Sequence, residues 1–139
     1  MGWLSKFILS AGGIKVPETE DIKPEPSEKN AGIHLLSDYG DEYEQISSDT
    51  DSIIIKDLIN RLDWESGFYQ VICTLEPGVL IEVGGSLNGH DGLSGIYINR
   101  LKNIEAVTIE PPETKAEMIE IMQSFAVGSD VWHTKYSWS

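Results

Sequence analysis

Residues 68–83 read FYQVICTLEPGVLIEV, and this stretch decides the fold. Phe68 to Leu75 is aromatic and β-branched, which suits a pleated, half-buried strand. Val79 to Val83 repeats the pattern, and Pro77 and Gly78 between them mark a tight turn. Proline before glycine suits a type II turn, which is not the favoured hairpin geometry, so a longer loop is the alternative connection. A link of either length joins antiparallel neighbours, because a parallel pair needs a crossover of about a dozen residues or more.

The flanking sequence extends the pattern. Residues 84–95 (GGSLNGHDGLSG) hold five of the 13 glycines and read as a loop. Ile96 to Ile98 begins another strand, and residues 104–109 (IEAVTI) predict a further one, ended by Pro111 and Pro112. A helix follows. Thr114 and Glu117 have capping-box spacing, and Ala116, Ile119, Met122 and Phe125 or Ala126 recur at helical intervals. Glu113, Glu117 and Glu120 crowd its amino-terminal end, where the helix dipole favours them, and Gly128 predicts its stop. Residues 131–138 (VWHTKYSW) alternate Trp132, Thr134, Tyr136 and Trp138 against His133, Lys135 and Ser137, which predicts a final strand. Upstream, Asp51 or Ser52 caps a helix with the stripe Ile54, Ile55, Leu58, Ile59 and Leu62, stopping near Asp63 or Trp64. Residues 32–37 (GIHLLS) predict a short strand. The order predicts an α+β fold, an antiparallel sheet of about five to six strands with two main helices packed on it.

Residues 1–31 read as an amino-terminal segment and proline-rich acidic linker, ahead of one domain over residues 32–139. Over residues 15–31, Pro17, Pro24 and Pro26 sit among five acids, and no core element is expected. Trp3, Leu4, Phe7 and Ile8 share one helical face, far short of the ~20 residues that span a bilayer. That segment reads as a docked or frayed end, with an interfacial anchor as the alternative.

Charge narrows the function. The 139 residues carry 10 Lys and Arg against 23 Asp and Glu, a net charge of −13. Such a surface repels phosphate backbones and anionic membranes and favours basic partners, so direct nucleic-acid binding is not expected. Residues 31–67 hold nine acids against two bases. Asp38, Asp41, Glu42, Glu44, Asp49 and Asp51 follow one another with no base among them, and Tyr39 and Tyr43 sit inside the run. One reading is a solvated, partly disordered loop. The other is a docking surface for a basic partner, made of these eight residues with Asn88, His90 and Asp91 of the glycine-rich loop.

No catalytic motif emerges. The glycine-rich loop lacks the Lys and Ser or Thr of a phosphate-binding loop. His34, His90 and His133 have no HExxH spacing, and Ile53 spoils an EF-hand reading of Asp49 and Asp51. No cofactor or metal is expected. Cys73, the one cysteine, excludes an internal disulfide, reads as a buried inert thiol and fits a cytoplasmic location. Two alternatives stand beside a binding protein: a metal-assisted hydrolase using dispersed His and Asp residues, and a membrane-proximal acidic adaptor. Nothing selects an oligomeric state.

The stretch Glu82-Val-Gly-Gly-Ser-Leu87, then Asp91-Gly-Leu-Ser94 and Tyr97, resembles a pattern in small bacterial immunity proteins. The ending is similar to the immunity family that neutralises deaminase-type toxins of polymorphic toxin systems. The features that carry this are the helix with Glu117-Met-Ile-Glu120, then Phe125, Gly128 and Trp138. The resemblance covers residues 51–139; the proline-rich extension and Trp132 depart from the pattern. It implies a non-enzymatic inhibitor used in interbacterial competition. Its partner would be a cognate toxin, a nuclease or nucleic-acid deaminase, with its active site or substrate surface occluded.

Overall fold

The computed structural model describes residues 26–88 and 91–139. Expectations for residues 1–25 and for His90 lie outside the described residues. The fold is α+β, with six antiparallel strands and two long helices. The central hairpin is β3 (Tyr69–Glu76) and β4 (Val79–Ser86), joined by Pro77 and Gly78 alone. Gly78 has φ +87°, as the second central position of a type II turn requires. The mismatch between that turn and the strand twist is absorbed by a register shift between Thr74 and Glu76, which leaves Leu75 as an extra residue.

Strand β1 (Gly32–Ser37) pairs with β3 on one side and with β2 (Glu42–Ser47) on the other. Beyond β4 come β5 (Gly92–Asn99) and β6 (Ile104–Val107), giving the order β2-β1-β3-β4-β5-β6. The predicted glycine-rich loop is shorter than expected, because Gly84 and Gly85 lie in β4 and Gly92 and Gly95 in β5. They serve close strand approach. A Cβ on Gly85, whose φ is +122°, would lie 2.0 Å from the Gly92 carbonyl oxygen. The run Glu42 to Ser47, expected as loop, is a strand, because pairing with β1 satisfies its backbone while its charged side chains stay in water.

The alternation of β1, β3 and β4 places Ile33, Leu35, Val71, Cys73, Ile81 and Val83 on one face, all buried. That face is covered by α2 (Ser52–Arg61) and α3 (Lys115–Ala126). Helix α2 starts where Asp51 accepts a hydrogen bond from Ile53 N–H at 2.7 Å, and it buries Ile55, Leu58 and Ile59. Helix α3 starts on Thr114, which accepts from Glu117 N–H at 3.1 Å, while the Glu117 carboxylate accepts from Glu113 N–H at 2.7 Å. Its buried stripe is Met118, Ile121, Met122 and Phe125, displaced from the expected Ala116 and Ile119 face. The displaced set is the more apolar of the two and keeps the same helical spacing. Gly128 ends α3 at φ +78°, with Ser129 N–H bonded to the Ser124 carbonyl and Gly128 N–H to that of Phe125.

Two further expectations are corrected. Pro26–Lys29 forms a short helix, α1, within the segment expected to hold no core element. Ser27 is buried, and its carbonyl accepts from the Thr74 hydroxyl. Glu28 pairs with Arg100 at 3.1 Å, and its carbonyl accepts from Gly78 N–H. The tail is not a strand over residues 131–138. Val131–Thr134 is a helical turn, α4, which lays Trp132 against Tyr97, Phe125 and Trp138. The packing of that half-buried indole against three aromatic rings outweighs a period-two pattern read from a few residues.

Candidate partner-binding surface

One end of the sheet gathers three segments far apart in sequence. The first is the β1–β2 turn. Asp38 (φ 54°), Tyr39 (φ 58°) and Gly40 (φ 90°) are all left-handed, closed by Gly40 N–H to the Ser37 carbonyl at 3.0 Å. Aspartate tolerates this conformation, but a tyrosine there is unusual and strained. Its side chain supplies the compensating contacts. The Tyr39 ring stacks on Phe68 at 4.4 Å between centroids, and its hydroxyl donates to Asp91 Oδ2 at 3.0 Å. The bond to Asp91 holds the phenol pKa above its ordinary value, so Tyr39 stays a donor. Despite both contacts the side chain is 65% exposed.

The second segment is the β4–β5 loop. Asn88 Nδ2 donates to the same Asp91 oxygen at 3.1 Å, and Asp91 N–H donates to Asn88 Oδ1 at 3.0 Å. The third is the α2–β3 connection. The Asp63 carboxylate accepts from the Ser66 hydroxyl at 2.6 Å and from two backbone N–H groups, which hold its carboxyl below the usual range. Trp64 ties this connection to the β4–β5 loop, because its carbonyl accepts from Leu87 N–H and the Ser86 hydroxyl, both at 2.8 Å. Between the segments lies a concavity of about 340 Å³, lined by Asp38, Tyr39, Glu42, Phe68, Tyr69 and Asn88 among others.

The structure therefore brings together Asp38, Tyr39, Glu42, Asn88 and Asp91, with Asp41 in the same turn. The expectation that all the acidic run shares one surface is corrected. Strand alternation sends Tyr43 to the sheet face opposite the long helices, where its hydroxyl meets His34 at 2.8 Å. Glu44 lies along exposed β2. Asp49 and Asp51 follow the far end of that strand, and Asp51 is occupied as the cap of α2. Sequence reasoning missed Phe68, Ser66 and Trp64. An available signal was the Asp63–Ser66 spacing, which suits a carboxylate closing its own turn.

Two of the candidate groups, His34 and Cys73, are engaged or buried within the fold, and His133 lies exposed on α4. His34 is buried in β1, with Nε2 against the Asn30 carbonyl and Nδ1 against Tyr43, each at 2.8 Å. The carbonyl only accepts, so Nε2 carries the proton and Tyr43 donates to Nδ1. Burial pushes the Cys73 thiol up to about 12. Among the described residues no three His, Cys, Asp or Glu side chains are grouped to hold a metal ion, and no helix is long and apolar enough to cross a membrane.

His34 carries a pH prediction. Burial lowers its pKa from 6.5, so the folded chain keeps a neutral ring while the unfolded chain titrates near the ordinary value. Below that value the unfolded state binds the extra proton, so stability falls as pH drops from 6.5 toward the lowered folded value. Urea midpoints taken across this range should decline more steeply for the wild type than for His34→Gln. Equal slopes would refute the assignment.

Comparison with family models, with curated proteins and with solved structures finds no match for this chain.

Proposed function

We propose that this chain is a non-enzymatic inhibitor of the immunity type. It acts in the cytoplasm of the producing cell, binds a basic cognate bacterial toxin and occludes that toxin's active site or substrate surface. A nuclease or nucleic-acid deaminase is the toxin class that fits, because such enzymes need basic clefts for their polyanionic substrates. The observation that carries the reading is the convergence of the three segments into a concave, acidic surface with Tyr39 held outward. Among the described residues the ion pairs are Arg100–Glu28 and Lys135–Glu120, and neither takes a carboxylate from the run Asp38 to Asp51. A field of that sign steers a basic partner and occupies sites meant for phosphates.

The test begins with tagged full-length protein recovered from its native cells, and mass spectrometry of what co-purifies. A stoichiometric basic protein whose nuclease or deaminase activity this chain abolishes supports the reading. Changing Asp38, Asp41, Glu42 and Glu44 together to Asn and Gln should then slow association by about tenfold to a hundredfold at low salt, with the difference fading as salt rises. A quadruple variant that associates and protects like the wild type would sink the surface assignment.

A further inference from the structure

The two edges of the sheet differ. The carboxy-terminal end of the outer β6 edge is covered by the chain itself. Val107 and Ser139 exchange backbone hydrogen bonds at 2.9 Å in both directions, and Ile109 N–H donates to the Ser137 carbonyl. Among the described residues no strand pairs with the outer edge of β2. An edge strand holds alternate N–H and C=O groups pointing away from its sheet, and these are a template for another strand. Common ways to blunt such an edge are charged side chains, proline or a bulge, and β2 carries two exposed glutamates, a guard that acts only against strands without positive charge. Residues 42–47 contain neither lysine nor proline. The irregularity in the β1–β2 register lies at its far end, beside Ile33 and His34, so Glu42 to Gln45 pair regularly and all four are exposed.

Charge decides what the edge accepts. Glu42 and Glu44 project to one face of the strand and Tyr43 and Gln45 to the other. A second copy is disfavoured in the registers centred on the acidic end of the strand. Any two-fold antiparallel pairing centred on residue 42, 43 or 44 sets carboxylate against carboxylate, and like charges directly opposite destabilise a ladder. A segment with lysine or arginine at every second position reverses the sign of that term. Glu42 also lines the concavity, so the edge is continuous with the surface described above.

We propose that β2 takes up an extended basic segment of the partner protein as an added strand, with its cationic side chains opposite Glu42 and Glu44. This rests on the reading of the chain as a binder of a basic protein, and it names how that protein is held.

The probe is a short end-capped peptide alternating lysine and threonine, added to the full-length chain at low salt. Amide exchange is followed by NMR. The control peptide has the same charge but carries N-methyl groups on alternate amides, so it cannot pair as a strand. The unmodified peptide should slow exchange within residues 42–47 and bind about tenfold more tightly than the control, the worth of one or two net hydrogen bonds. Glu42→Gln with Glu44→Gln should weaken it by a similar factor. Equal binding of the two peptides, or protection confined to residues outside β2, would overturn the inference. The two readings fail separately. An inhibited toxin bound with β2 amides unprotected removes strand addition and leaves the inhibitor. Peptide addition to β2 without a basic partner in the cells leaves the edge and removes the toxin.

Discussion

Trp64→Ala is expected to cost about 3–5 kcal/mol, the range for truncating a buried tryptophan. Small domains are commonly stable by only ~5–15 kcal/mol, so the variant sits near the threshold of folding. The indole is 1% exposed, meets Tyr69 edge-on at 5.6 Å, and donates its Nε1–H to the Ile59 carbonyl at 2.9 Å. That carbonyl belongs to the last turn of α2, so truncation leaves a cavity and removes a partner from a helix end. The backbone of Trp64 also anchors the β4–β5 loop through Leu87 and Ser86. Denaturant unfolding gives the size of the loss. A variant within about 1 kcal/mol of wild type would show that the site collapses without cost, contrary to the packing described.

The second large effect belongs to Gly85. Gly85→Ala combines a left-handed backbone, worth of order 1–3 kcal/mol for a residue with a Cβ, with overpacking of similar size. The clash is with the backbone oxygen of Gly92, which no rotamer change relieves. Gly92→Ala is the control. It has φ +69° but nothing within 4 Å of the added atom, so it suffers the backbone strain alone. Gly85→Ala should therefore be the less stable variant by about 1–3 kcal/mol. It should also separate β4 from β5 near Ser86, which carries the loop holding Asn88 and Asp91. Equal stability of the two variants would refute the role given to strand approach.

The legible parts of the fold are those written in short sequence windows. The β3–β4 pair, the caps at Asp51 and Thr114 and the stop at Gly128 each depend on residues within a few positions of one another. What escaped sequence reading depends on tertiary partners. Strand β2 exists because β1 is there to pair with it, and its charges gave no strand signal. The turn at Val131–Thr134 exists because Trp132 has an aromatic cluster to join. The acidic run was visible as a charge feature, but strand alternation divides it. Glu42 reaches the concavity, Tyr43 turns to His34, and Asp51 is used by a helix. Phe68 and Trp64 were invisible as site residues because Tyr39 and Leu87, which they touch, are distant in sequence.

Cys73 has a practical consequence. It is the one thiol in the chain, it sits in the central hairpin under both long helices, and burial suppresses its thiolate. A thiol-reactive dye therefore has a single target, reached only when the sheet opens through its middle. The rate of labelling becomes a clock for global opening, read without any engineered tag, and fraying at the sheet edges leaves it unmoved.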